Sequence, residues 1–211
     1  MIDLYTWSTP NGRKVSILLE ELGVEYTVYP IDIGKGDQFS KKFQQISPDY
    51  KIPVIYDHKD QRYIRESGAI LLYLANKFDQ FTGTADYHWD VMQWLMWQMS
   101  AIGPILGQAH HFLYYNQGLS PYAEDRFKNE AKKLYGVLDS QLKNFEYISG
   151  PGKGEYSIAD IAMWPWISRF QRHQINLDEY PNVYQWYRKI SERPAVKKGY
   201  DIPLSGNKIP T

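Results

Sequence analysis

Cysteine is absent from all 211 residues of the sequence. This excludes a disulfide framework, a thiolate zinc site and a cysteine nucleophile, so any sulfur chemistry must be carried by a ligand. No apolar run approaches the roughly 20 residues that span a bilayer. The opening MIDLYTW has neither the basic segment nor the apolar stretch of a secretory signal. Charge of one sign is missing too: Lys+Arg and Asp+Glu each number 24. There is then no net field to gather nucleic acid or an anionic membrane. Gly34-Lys35-Gly36 lacks the spacing of a phosphate loop. The expectation is a soluble, cytoplasmic protein with no nucleic-acid and no membrane partner.

What is present is core-forming material. Hydrophobic residues make up 43% and aromatics 16%, too much for a disordered chain. Ile2 and Leu4 alternate with polar neighbours in a short strand, which Thr9-Pro10-Asn11-Gly12 punctuates. Val15, Leu18, Leu19 and Leu22 then recur on one face of an amphipathic helix that Gly23 closes. Tyr26 and Val28 mark a second strand. Phe39, Phe43 and Ile46 mark a short helix stopped by Ser47-Pro48. Val54 to Tyr56 and Tyr63-Ile64 read as a hairpin, and a helix with Ile70, Leu71 and Leu74 inward starts near Ser67.

This βαβ, helix, ββα order predicts a mixed four-stranded sheet with three helices, a thioredoxin-like α/β domain over 1–78. Residues 79–87 form the expected linker. An all-α domain over 88–200 follows, and 201–211 form an extended tail. In the helical part, 88–115 reads as a long aromatic helix interrupted at Gly103-Pro104. A second helix covers 121–145. Ser157 and Asp160 form a capping box, and a last helix spans about 181–193.

Three motifs, Ser-Pro-Asp-Tyr-Lys-Ile-Pro-Val (47–54), Glu-Ser-Gly-Ala-Ile (66–70) and Ser-Ile-Ala-Asp (157–160), resemble cytosolic glutathione transferases in their spacing. Ser-Glu-Arg-Pro-Ala (191–195) is similar to that family's C-terminal region. Thr-Pro-Asn-Gly (9–12), Gly-Lys-Gly-Asp-Gln-Phe (34–39) and Gly-Gln-Ala-His-His-Phe (107–112) resemble more particularly the nu-class bacterial enzymes. They also resemble the fungal group related to the yeast nitrogen-catabolite regulator. The resemblance covers nearly the whole chain. It implies a transferase fold, glutathione as cosubstrate, no metal, and a homodimer.

The resemblance places a cis-proline at Ile52-Pro53, which would free the backbone of Ile52 to pair with the tripeptide as an added strand. Ser67, at a helix start, would meet the γ-glutamyl carboxylate, and Glu66 its ammonium. Gln38 and Lys51 match positions that meet the glycyl carboxylate. Asn11 first, and Thr9 second, are the catalytic candidates that stabilise the glutathione thiolate. Taken alone, each has a plainer reading: Asn11-Gly12 as a turn dipeptide, Thr9 as an N-cap, Ser67 as a helix cap, Lys51 as a surface lysine. Tyr5 stands inside the strand, earlier than the tyrosine some classes use, and reads as structural.

A second site, for a small hydrophobic or aromatic electrophile or a second glutathione, is expected between the domains. Trp97, Phe112, Tyr115, Tyr122 and Arg126 are its candidates. An aromatic stripe on a helix is equally a core feature, and Arg126 equally a solvated side chain. His110 and His111 are adjacent and lack a metal-ligand spacing, so both read as structural or lining. The implied activity is attack of the glutathione thiolate on electrophiles, peroxides or disulfides. Two alternatives stand beside it: a disulfide oxidoreductase or peroxidase using two glutathiones, and a non-catalytic binding or regulatory protein.

Overall fold

A computed structural model describes residues 1–204 and 206–211. Ser205, within the expected tail, lies outside the described residues. The chain divides into two compact units. The first comprises Met1–Gln80, Glu192–Ile209 and Thr211, and the second Phe81–Ser191 and Pro210.

In the first unit, β1 (Ile2–Thr6), β2 (Tyr26–Pro30), β3 (Val54–Asp57) and β4 (Arg62–Ile64) form one sheet in the order β2-β1-β3-β4. β1 pairs parallel with β2 and antiparallel with β3, and β3 pairs antiparallel with β4. The parallel pair needs a crossover, which α1 (Pro10–Leu22) supplies. This is the mixed sheet that the β/α order predicted. Alternation along β1 sends Leu4, wholly buried, to the helical face and Tyr5 to the other. Tyr5 there stacks on Tyr29 with ring centroids 4.9 Å apart.

The local signals at α1 act as read. Thr9 caps it, its Oγ1 accepting the Gly12 N–H at 3.1 Å, and Gly23 ends it with φ 63°. Gly12 is required by space: a Cβ there would stand 2.2 Å from the Trp7 carbonyl oxygen. The short second helix resolves into a 3-10 turn at Asp37–Phe39 and α2 (Lys41–Gln44). The helix starting at Ser67 is α3 (Ser67–Phe78).

In the second unit the long aromatic helix is four pieces. α4 (His88–Trp97) runs into a π-helical turn at Gln98–Ile102, followed by α5 (Gly103–His110) and a second π-helical turn at His111–Tyr115. The first π turn stands where Pro104, lacking an N–H, interrupts the regular ladder. α6 (Pro121–Leu142) ends three residues before the expected boundary. α7 (Ile158–Ile167) begins with the expected capping box, and Asp160 Oδ2 accepts the Ser157 N–H at 3.1 Å. α8 (Pro181–Ser191) packs on α7, where Trp164 stacks on Tyr187 at 5.3 Å. No helix among the described residues is long and apolar enough to cross a membrane.

The helical domain read from sequence as 88–200 departs from this division at its end. α9 (Pro194–Tyr200) belongs to the first unit and packs along α1. Arg13, fully buried, lays its guanidinium 3.7 Å over the Tyr200 ring and donates from Nε to the Tyr200 carbonyl at 2.7 Å. Pro194 marks the break between α8 and α9, but nothing local in the sequence says which unit the final helix packs on. The described residues after Tyr200 have no regular structure, yet Ile202 is buried and Ser8 donates to the Pro203 carbonyl at 3.4 Å.

Candidate functional site

The first unit gathers most of the predicted site residues at the ends of its elements. Ile52-Pro53 is a cis peptide immediately before β3. Neither the N–H nor the C=O of Ile52 is taken up by a backbone partner among the described residues. Such groups must find a partner or water, so this stretch offers a donor and an acceptor to an extended ligand.

The preceding loop is held from one buried side chain. The Ser47 hydroxyl, fully buried, donates to the Lys51 carbonyl at 2.7 Å and accepts the Lys51 N–H at 3.1 Å. Tyr50, with φ 59°, turns the chain between them. Neither its place as a helix stop nor its place in the 47–54 motif foretells this anchoring of Lys51. Lys51 itself is exposed. Gln38 donates from Nε2 to the Ile33 carbonyl at 3.4 Å, while its buried Oε1 has no hydrogen-bond partner.

Glu66 and Ser67 begin α3. Glu66 is its N-cap with φ 64° and ψ 116°, a conformation that side-chain-bearing residues seldom adopt. Its carboxylate is exposed, and the Ser67 beside it is buried. Backbone strain held at this point marks the start of α3 as more than a helix boundary.

A lysine missed in the sequence completes this group. Lys14 is 1% exposed, and its Nζ lies 3.3 Å from Ser67 Oγ. Burial pulls its pKa down to about 7, against the opposing pull of the Glu66 charge. The spacing could have found it. Lys14 is three residues after Asn11 and four before Leu18, so all three share a helix face. A lysine on a buried stripe contradicts its usual exposure.

Asn11 is half-buried on the first turn of α1, and Thr9 is the cap of the same helix. The cap uses a lone pair of Thr9 Oγ1 and leaves its proton as a donor. Both therefore stand where the positive end of the helix dipole acts. Tyr5 lies in β1, its pKa pushed up to about 12 chiefly by burial and then by Tyr63. That environment opposes a phenolate and fits the structural reading.

In the second unit the second-site candidates fall into separate groups. Phe112 stacks on Phe127 at 5.5 Å, and Arg126 places its guanidinium 5.9 Å from that same Phe127 ring. Trp97 meets Trp94 edge-on at 5.1 Å. Tyr115 stacks on His110 at 5.0 Å, and Arg172 reaches both, Nη1 lying 3.0 Å from His110 Nε2 and 3.4 Å from the Tyr115 hydroxyl. Tyr122 is 77% exposed and Tyr115 66%. Arg172 carried no sequence signal, because it comes from a 3-10 turn 57 residues beyond Tyr115.

His110 is buried while His111 is exposed, as expected of adjacent helical residues. Burial, then the charge of Arg172, brings the His110 pKa down to about 4, so it is neutral at neutral pH. Among the described residues no group of three or more His, Asp or Glu is arranged to hold a metal ion.

A thioredoxin-like unit and a helical unit, with a cis-proline edge, an acidic N-cap and a polar helix start, define a glutathione transferase architecture. The chain belongs to the glutathione S-transferase family: its N-terminal domain matches residues 4–82 and its C-terminal domain residues 102–194.

The disulfide-bond oxidoreductase YfcG of Escherichia coli (strain K12) is 44% identical over 202 residues, covering 93% of each chain. Among solved structures, a Pseudomonas putida glutathione transferase with one glutathione disulfide bound per subunit superposes with a TM-score of 0.89 at 39% identity. It covers 96% of this chain and 91% of that one. A family member from Pseudomonas fluorescens with two glutathione bound gives a TM-score of 0.88 at 40% identity, covering 96% and 93%.

Proposed function

We propose that this protein is a glutathione-dependent disulfide oxidoreductase on the transferase fold, active as a cytoplasmic homodimer. The observation that carries the reading is the backbone of Ile52, left without a backbone partner beside cis-Pro53, together with the exposed Glu66 at the start of α3. Together they offer main-chain pairing for a cysteinyl backbone and a counter-charge for an α-ammonium. Glutathione presents both.

In this reading Ile52 and Pro53 hold the tripeptide as an added strand. Ser67 receives the γ-glutamyl carboxylate, and Gln38 and Lys51 receive the glycyl carboxylate. Asn11 and Thr9, at the start of α1, face the sulfur. A free thiol is mostly protonated at neutral pH. Donors aimed at the anion, together with the helix start, favour the thiolate by ~1.4 kcal/mol for each unit of pKa lowering.

The chain has no cysteine, so no mixed disulfide with the protein forms. Two glutathiones supply both electrons. The first thiolate attacks one sulfur of the substrate disulfide, breaks its S–S bond and releases one thiolate, which takes a proton. The second attacks the glutathionyl sulfur of the resulting mixed disulfide and displaces the other thiol. Two glutathione thiols become one glutathione disulfide, and the substrate gains two protons and two electrons.

Support for the redox reading comes from the relatives: one is an oxidoreductase, and two hold oxidised or paired glutathione. Trp97, Phe112, Tyr115, Tyr122 and Arg126, in their separate clusters on the helical unit, are the residues assigned to receiving the second molecule. Aromatic faces there would also accept a small hydrophobic electrophile, which makes conjugation a side activity of the same thiolate.

The test is turnover of hydroxyethyl disulfide with glutathione, set beside a hydroperoxide and an isothiocyanate. Disulfide turnover is expected to dominate. Turnover of the isothiocyanate alone would sink the redox reading, and no binding at millimolar glutathione would sink the site.

A further inference from the structure

Arg172 stands in the helical unit with its charge unanswered, and the roles assigned above leave it unused. Two other arginines meet carboxylates: Arg193 pairs with Glu21 at 2.6 Å and Arg65 with Asp49 at 3.8 Å. Among the described residues no Asp or Glu forms an ion pair with Arg172.

Its contacts are with neutral groups. A guanidinium has only protons to give, so Nη1 donates to His110 Nε2 at 3.0 Å and to the Tyr115 hydroxyl oxygen at 3.4 Å. His110 is then the neutral tautomer with its proton on Nδ1. The guanidinium carbon lies 4.6 Å from the centroid of the Tyr114 ring, whose face attracts the cation without cancelling its charge. Both protons of Nη1 are thereby used. Nε and Nη2 meet no acceptor among the described residues, and neither is sealed from water. That edge is the fork that a carboxylate takes with two parallel bonds.

The guanidinium is also held in place. Arg172 lies in the 3-10 turn Phe170–His173, which is pinned just after it. His173, fully buried, meets the Tyr135 hydroxyl with Nδ1 at 3.2 Å. Gln174, with φ 55°, donates from Nε2 to the Leu113 carbonyl at 3.5 Å and accepts from Lys128 Nζ at 3.0 Å. An arginine fixed in this way loses little freedom when it takes a ligand. Tyr114 and Tyr115 beside it are 52% and 66% exposed, so the group opens to solvent.

We propose that Arg172 is a specificity-determining residue for the disulfide substrate: its free edge takes a carboxylate of that substrate, and the protein prefers acidic disulfides to neutral or cationic ones. The proposal rests on the disulfide oxidoreductase reading and names the class of substrate that reading leaves open. Tyr115, already assigned to the second molecule, stands against Arg172 and would meet the same substrate. The thiol–disulfide exchange is unchanged, since Arg172 holds a group remote from the sulfurs.

The experiment measures initial-rate kcat/KM of the full-length protein, at fixed glutathione, with three disulfides of similar length. Dithiodiglycolate is anionic, hydroxyethyl disulfide neutral and cystamine cationic. Each value is divided by the rate constant of the uncatalysed reaction with glutathione, which removes intrinsic reactivity. Wild type is expected to favour the anionic over the neutral and the neutral over the cationic. In Arg172→Gln the anionic-to-neutral ratio should fall about tenfold, the weight of a charge-assisted pair at a partly exposed site, while the cationic-to-neutral ratio rises. Arg172→Lys keeps the charge but loses the fork, and its anionic-to-neutral ratio should fall about threefold.

Equal losses on all three disulfides in Arg172→Gln would mark a purely structural role and overturn the proposal, as would unchanged ratios. Should the variants fail to fold, the wild type decides alone. Its anionic-to-neutral ratio should drop severalfold between about 0.02 M and about 0.5 M sodium chloride through screening, and a ratio indifferent to salt overturns the role. If the wild type turns over none of the three disulfides, the oxidoreductase reading itself falls and takes this one with it. Turnover of all three without charge preference removes the role of Arg172 alone.

Discussion

Ser16 donates its hydroxyl to the carbonyl of Gly199 at 2.6 Å, which seats α9 directly on the backbone of α1. Two other carbonyls, of Gly12 and Arg13, lie at 3.4 and 3.3 Å from the same oxygen. A hydroxyl has one proton, and the shortest contact takes it. The approach is possible because residue 199 has no side chain. A Cβ there would stand 2.6 Å from Ile17 Cα and 2.7 Å from Ile17 N.

Gly199→Ala is therefore expected to push α9 off α1 and to destabilise the protein by about 1–3 kcal/mol. Ser16→Ala, which keeps the shape, should cost only about 1 kcal/mol. Urea unfolding followed by far-ultraviolet circular dichroism measures both. A Gly199→Ala variant as stable as wild type would show that the two helices can separate freely.

Asp160 joins four donors in the second unit. Oδ1 accepts from Trp186 Nε1 at 2.8 Å and from the Ile148 N–H at 3.0 Å. Oδ2 accepts from the Ser157 N–H at 3.1 Å and the Ser157 hydroxyl at 3.2 Å. Asp160→Asn turns one oxygen into an amide donor facing other donors, and the expected loss is about 3 kcal/mol. Thermal unfolding with tryptophan fluorescence reports it through Trp186, and an unchanged melting curve would contradict the network.

Binding and activation should separate in kinetics. Glu66→Gln is expected to raise KM for glutathione about tenfold, because it removes a charge-assisted bond made equally to bound substrate and transition state. Asn11→Ala should lower kcat with disulfides by about two orders of magnitude while KM changes little. Thr9→Ala should do less to kcat and also loosen the start of α1 by about 1 kcal/mol. The reverse pattern, with Asn11→Ala acting on KM alone, would move Asn11 from the sulfur to the binding edge.

Acid stability has an identifiable source in the first unit. Burial would raise the Asp57 pKa, but bonds from Lys77, Tyr73 and the N–H groups of Lys59 and Asp60 outweigh it and hold the value at about 2. A carboxylate depressed in the folded state contributes stability above the unfolded pKa near 4. That contribution is lost as pH falls from about 4 to 2. Lys77→Met should move the acid-unfolding midpoint up by about one pH unit. An unmoved midpoint would mean that the backbone donors suffice.

Much of the proposed site was legible because its parts are local. Thr9, Asn11 and Gly12 form one turn, Ile52-Pro53 one peptide, and Glu66-Ser67 one helix start. Each is readable within a few residues, and their spacing matches the family. Arg172 was invisible for the opposite reason: it reaches Tyr115 and His110 from a distant turn, and no period links them. Ser47 was visible as a residue but not as the anchor of Lys51, since that role depends on which way the loop closes.

What the sequence determined by itself is the order of strands and helices in the first unit, the α1 and α7 caps, and a cysteine-free chemistry that must borrow its sulfur. These follow from short-range backbone preferences, hydrophobic period and composition. Only the tertiary structure decided that α9 returns to the first unit, that Glu66 is held at positive φ, and that Lys14 is sealed beneath Ser67. Those outcomes depend on surfaces brought together from 53 to 183 residues apart. There, close packing and the cost of burying a charge select a single arrangement that no local pattern encodes.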